Sequence, residues 1–158
     1  MHSSAKPKLL YTPEQRKRRD ATVWTTVQGI LAPVQFLIFL VSIVLVVRYI
    51  ATGEGYLAAT VSILMKTAAL YIIMITGAIW EKVVFGQYLF APGFFWEDAV
   101  SFIVIALHTL YLYGLMTGSI EPLTLMFITL AAYITYVVNA GQFLWKLRVA
   151  RLQSGVPA

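Results

Sequence analysis

Residues Val23–Ile50 read VWTTVQGILAPVQFLIFLVSIVLVVRYI, and this stretch decides the fold. Most of it lies in a run of 27 residues, between Asp20 and Arg48, without a single charged side chain. Two further gaps follow, 22 residues between Asp98 and Glu121 and 24 between Glu121 and Lys146. Each exceeds the roughly 20 residues that an α-helix needs to cross the hydrocarbon core of a bilayer. Gly55–Trp80 is also long enough, although it holds Lys66. Between Lys82 and Glu97 lie 14 uncharged residues with Gly86, Pro92 and Gly93 among them. That stretch is too short to span and reads as a loop at, or dipping into, the interface.

The expected fold is therefore all-α: a polytopic membrane protein with four transmembrane helices, over about Val23–Ile50, Gly55–Trp80, Asp98–Thr117 and Pro122–Leu144. Short connections favour antiparallel neighbours in one bundle. The division expected is a basic tail at 1–22, a membrane domain at 23–147 with an interfacial loop at 82–97, and a second tail at 148–158. Composition agrees. Of the 158 residues 59% are hydrophobic and 12% charged, against about a quarter charged in a soluble domain. Mean hydropathy is +0.77. The apolar run after the basic start is too long for a signal peptide, so no cleavage is expected.

Orientation follows from the cations. Lys6, Lys8, Arg16, Lys17, Arg18 and Arg19 precede the first span, and Lys146, Arg148 and Arg151 follow the last. The first and third connections hold Arg48, Glu54 and Glu121, with one cation among them. Both termini are expected in the cytoplasm. The net charge of +5 points to an anionic membrane surface rather than to nucleic acid, since no base-reading motif accompanies it.

Other chemistries drop out. With no cysteine, disulfides, thiolate metal sites and cysteine nucleophiles are all excluded. The histidines are His2 and His108, and no Glu-x-x-His pair exists, which argues against a di-iron bundle. No glycine-rich phosphate loop and no nucleophile elbow occur.

Polar groups gather at one end. With cytoplasmic termini, Gln28 and Gln35, Glu81, the trio Glu97, Asp98 and Ser101, and the pair Asn139 and Gln142 all fall in the same leaflet, from four different spans. At 100° per residue Glu97, Ser101 and His108 share one face, with His108 about 16 Å from Glu97 along the helix. Gln28, Gln35 and Ser42 share another stripe, as do Thr135, Asn139, Gln142 and Lys146. A cavity reaching from the cytoplasmic face to His108 would be deep enough for a flat macrocycle.

Each feature also has a plainer reading. Glu81, Lys82, Glu97 and Asp98 can mark helix ends at the interface, where acidic groups complement a helix N-terminus. The amides can be hydrogen-bond glue between helices. Trp80, Trp96 and Trp145 fit an interfacial aromatic belt. Lys66 is expected to be structural, snorkelling outward or pairing with Glu54. His108 divides evenly between a hydrogen-bonded core histidine and a proton donor or axial ligand for a haem or magnesium chlorin.

Longer strings narrow the choice. Leu10-Tyr11-Thr12-Pro13-Glu14 leads to Arg18-Arg19-Asp20-Ala21 and Trp24, then Val27-Gln28-Gly29-Ile30-Leu31-Ala32-Pro33 and Gln35-Phe36. Ala59-Thr60-Val61-Ser62 and Gly77-Ala78-Ile79-Trp80-Glu81-Lys82 follow. Next come Phe85-Gly86, Tyr88-Leu89-Phe90-Ala91-Pro92 and Phe94-Phe95-Trp96-Glu97-Asp98, and finally Tyr136-Val137-Val138-Asn139-Ala140-Gly141-Gln142-Phe143. Over nearly its whole length the chain resembles the 2-vinyl (in other numbering 3-vinyl) bacteriochlorophyllide hydratases of photosynthetic bacteria.

The resemblance implies that water adds across the C3-vinyl group of chlorophyllide a or a bacteriochlorophyllide, giving a 1-hydroxyethyl group for later oxidation to acetyl. It implies no redox cofactor, a magnesium-chlorin substrate, a bacterial inner or photosynthetic membrane, and other pigment-synthesis enzymes as neighbours. A non-catalytic pigment- or haem-binding scaffold is the alternative. Such a hydration needs an acid that keeps its proton near neutral pH and a group that orients water, and paired buried carboxyls can supply both. Glu81 and Glu97 are the expected acid and base, with Asp98 in reserve. Gln28, Gln35, Ser101, Asn139 and Gln142 are the expected contacts to substrate or water. His108 is expected to share in proton transfer or to ligate the substrate magnesium.

Overall fold

In a computed structural model, which describes residues 8–154, the chain is entirely helical among those residues. Lys6, the two ends of the tails and His2 lie outside them. A short polar, strongly basic helix, α1 (Pro13–Ala21), precedes four long ones: α2 (Val23–Thr52), α3 (Tyr56–Phe85), α4 (Phe95–Thr117) and α5 (Pro122–Ser154). The long four are each apolar and extended enough to cross a membrane. Ile30, Leu37, Val44, Ile75, Ile103 and Ile134 remain exposed along them. So much apolar surface on helix exteriors is what lipid tails cover.

The helices outrun the expected spans at the end that carries the carboxylates. α3 continues five residues past Trp80 to Phe85, and α5 ten past Leu144 to Ser154. Loss of apolarity sets where a helix leaves the hydrocarbon, not where its backbone hydrogen bonds stop, so both run on into the interface. The expected loop at 82–97 shrinks accordingly to residues 86–91 and one 3₁₀ turn, Pro92–Phe94. Gly86 ends α3 in the left-handed region (φ 85°), with its N–H donating to the Lys82 carbonyl at 3.0 Å. A side chain there would be strained, so the glycine is a helix stop.

α2 packs closely along α3, and α4 along α5; the two pairs meet through sparser α2–α5 and α3–α4 contacts. Phe39, Val46, Ile63, Val104, Met126 and Tyr133 lie at the centre of the core. A second, aromatic cluster closes the carboxylate end: Tyr11 stacks on Phe85 at 5.6 Å, and Phe94 meets Trp80 and Phe85 at 5.6 Å each and Phe143 at 6.2 Å.

Trp80 departs from the belt reading. Trp96 (70% exposed) and Trp145 (62%) face outward as expected. Trp80 instead packs in the aromatic cluster and donates from Nε1 to Thr25 at 2.9 Å. A hydrogen-bond acceptor on α2 satisfies the indole, and burial then favours the inward rotamer.

α1 is docked. Thr12 and Gln15 form a reciprocal capping box at its start. Arg18 donates from Nε (3.0 Å) and Nη2 (2.8 Å) to the Val84 carbonyl, one of the last-turn acceptors α3 leaves open. Hydrogen bonds to a charged group are worth about 1.5–3 kcal/mol. Arg18→Ala should therefore release α1, seen as faster protease cleavage within 8–22 while the spans stay resistant. Unchanged cleavage would show that the Tyr11 stacking suffices.

Candidate active site

Three carboxyl groups are buried among the described residues, and they sit together. Glu81 (3% exposed) comes from the last turns of α3, and Glu97 and Asp98 from the first turn of α4. Helical periodicity explains why α4 presents two of them: Glu97, Asp98, Ser101, Val104 and His108 form one buried face. Glu81 lies against Asp98, near enough for the side chains to share a hydrogen, with Glu97 and the Ala91 backbone close by. One oxygen of Glu81, Oε2, is buried without a hydrogen-bond partner among the described residues.

The other two acids are fixed. Asp98 Oδ2 accepts from the Phe90 N–H at 2.9 Å. Phe90 is at φ 60°, a left-handed conformation unfavourable for a bulky residue, so this bond holds a strained turn over the site. Glu97 is ion-paired with Lys146 of α5 at 3.6 Å. Asn139 ties α5 to α4: its Nδ2 donates to the Glu97 carbonyl at 2.9 Å and to Gln142 Oε1 at 3.2 Å, and its Oδ1 accepts from Ser101 at 2.9 Å. Beyond Lys146 opens a surface groove of about 420 Å³, walled by Leu10, Thr12, Phe85, Gly93, Lys146 and Gln153 among others.

Of the expected residues, Glu81, Glu97, Asp98, Ser101, Asn139 and Gln142 thus come together. Gln28 does not join them. It donates to Thr76 of α3 at 2.6 Å, the glue reading, and packs against Gly77. Thr135 bonds its own helix, to the carbonyl of Ala132 at 2.8 Å.

Gln35 and His108 belong to a different group, deeper in the bundle. Gln35 is buried beside the Tyr136 hydroxyl. His108 Nδ1 lies 2.8 Å from the Val104 carbonyl, so Nδ1 carries the hydrogen and Nε2, buried and unpartnered among the described residues, keeps its lone pair. The ring is 5.9 Å from Tyr133, which hydrogen-bonds Ser42 at 2.6 Å; Ser42 bonds Ser62 at 2.8 Å.

Lys66 completes this group, against expectation. It neither snorkels nor reaches Glu54: it is 0% exposed, with Nζ 3.7 Å from the Tyr136 ring centroid and 5.9 Å from that of Tyr133. The sequence hint was a cation in mid-span three residues from Ile63 and four from Leu70, which share its buried face. Aromatic faces offered by α5 hold the ammonium where outward snorkelling would have solvated it.

A four-span helical membrane protein with carboxyl and amide groups buried together at one end is the class that the fold and site define. Within that class the chain belongs to the 2-vinyl bacteriochlorophyllide hydratase family, whose model matches residues 11–149. It is 72% identical over 147 residues to the 2-vinyl bacteriochlorophyllide hydratase of Rhodobacter capsulatus, covering 93% of this chain and 85% of that one. It is 70% identical over 149 residues to the enzyme of that name from Cereibacter sphaeroides, covering 94% and 92%. No solved structure matches the chain. The protein is accordingly a hydratase, an enzyme of bacteriochlorophyll biosynthesis.

Proposed function

We propose that this enzyme adds water to the C3-vinyl group of a chlorophyllide or bacteriochlorophyllide, giving the 1-hydroxyethyl product, at the Glu81–Asp98–Glu97 cluster. The burial of three carboxyls from two spans in one contact group carries this reading. Two carboxylates in contact inside a low-dielectric site repel strongly, so Glu81 and Asp98 hold one proton between them. Glu81, with its unpartnered Oε2, delivers that proton to the terminal vinyl carbon. The C=C π electrons form the new C–H bond, and the positive charge left on the inner carbon spreads into the macrocycle. Water attacks there and gives up a proton to Glu97, the anionic partner of Lys146. Gln142 holds the water, and Asn139, whose amide hydrogens go to the Glu97 carbonyl and to Gln142 Oε1, positions both groups.

His108 has no share in that transfer. It lies about 16 Å along α4 from Glu97. Magnesium held at His108 would centre the macrocycle at that depth, too far for its vinyl edge to meet the carboxyls. We therefore assign His108 to the deeper cluster and leave the metal of the substrate unligated by it. Mass spectrometry tests the reaction: isolated membranes given a vinyl chlorophyllide should produce an 18-dalton gain, whereas coloured binding without conversion would favour a scaffold.

The four spans run antiparallel in a bacterial cytoplasmic or photosynthetic membrane, with both termini in the cytoplasm. The basic residues flanking the first and last spans support this. The absence of cysteine makes a clean test possible. In spheroplasts an impermeant maleimide should label Ser119→Cys, on the α4–α5 turn, and leave Lys17→Cys untouched until the membrane is opened. The opposite pattern would invert the topology.

A further inference from the structure

Lys66, Gln35 and His108 come from three spans, and Tyr133 and Tyr136 from the fourth, so all four converge on one interior point. The group is polar but incomplete. Lys66 Nζ, Gln35 Oε1 and His108 Nε2 are each buried with no hydrogen-bond partner among the described residues. An ammonium within a membrane bundle is costly unless something answers its charge. The Tyr136 ring answers part of it. No buried carboxyl does: Glu81 is 15 residues away on α3, about 22 Å of helix, and Glu97 is level with the other end of α4. A site with a cation and no anion is built for an anionic oxygen from elsewhere.

The substrate class brings one. A chlorophyllide is the free acid of its pigment, with a carboxylate on an arm of the macrocycle remote from the vinyl group. Lys66 Nζ lies 3.7 Å from the Tyr136 ring centroid, and Tyr136 is about one turn of α5 from Asn139, which bonds the Glu97 carbonyl, so the ammonium stands roughly a macrocycle's width from the carboxyl cluster. The cluster also lies where the two tightly packed helix pairs meet, across the more sparsely packed seam between them. We propose that Lys66 binds the carboxylate of the pigment, and so orients the macrocycle with its vinyl edge toward Glu81. This rests on the hydratase reading above.

The test compares the free acid of a vinyl chlorophyllide with its methyl ester, in kinetics and in binding followed by pigment absorbance, using the full-length protein in detergent. A charge-assisted hydrogen bond made equally in ground and transition states appears in KM rather than kcat. Wild type should favour the acid by on the order of ten- to a hundredfold in KM and Kd. Lys66→Met should erase that preference while the ester is still turned over, and Lys66→Arg should keep most of it. Equal affinity of wild type for acid and ester overturns the proposal, as does a preference that survives in Lys66→Met. If Lys66→Met does not accumulate, Lys66→Gln, which keeps the polarity and drops the charge, is read the same way. A binding preference without hydration of either compound supports this site and overturns the hydratase reading alone.

Discussion

Glu81→Gln should lower vinyl hydration by about 10²–10⁴-fold, the usual contribution of a positioned general acid. Glutamine matches the shape of the carboxyl but has no acidic proton to give. The substitution should leave the fold intact, because glutamine keeps an oxygen for the Ala91 backbone and an N–H for Asp98, and Oε2 has no hydrogen-bond partner among the described residues to lose. Pigment binding and thermal stability in detergent should therefore stay near wild type while turnover collapses. Retention of activity within a factor of about two would remove Glu81 from the acid role, since no general acid is worth so little. Turnover is the decisive readout: a purely structural role for Glu81 would move stability first.

Asp98 should separate two jobs that one side chain performs. It accepts the Phe90 N–H at 2.9 Å and so holds the strained turn, and it shares a proton with Glu81 in the proposed mechanism. Asp98→Asn keeps an oxygen for Phe90 and loses the acid. It should fold normally and hydrate roughly ten- to a hundredfold more slowly, the rate equivalent of a charge-assisted hydrogen bond of about 1.5–3 kcal/mol. Asp98→Ala loses both roles. It strands a buried N–H and frees a residue at φ 60°, so melting temperature should fall along with activity, by a stability loss of about 1–3 kcal/mol. Full activity in Asp98→Asn would reduce Asp98 to a lock on the turn, and Glu81 would then need another source for its proton.

Much of the molecule was readable one residue at a time. The charge-free gaps after Asp20, Asp98 and Glu121 marked spans because the cost of a charge in hydrocarbon falls on each residue separately. The face shared by Glu97, Ser101 and His108 was legible for a related reason: it depends only on the helical repeat. The strings around Trp80–Lys82 and Phe94–Asp98 carried the family. What neighbours do to each other was not legible. Gln28 and Gln35 lie on one stripe of α2, yet one is spent on Thr76 and the other faces Tyr136, because different helices stand opposite them at different depths. Trp80 turned inward only because Thr25 was there to accept its N–H. Lys66 shows the division most sharply. A lone cation in a span announces its cost from the sequence, but whether it escapes to the interface or stays inside depends on the Tyr133 and Tyr136 rings that a fourth helix brings across the bundle. Cost in lipid is a property of each side chain; partnership is a property of how the helices pack.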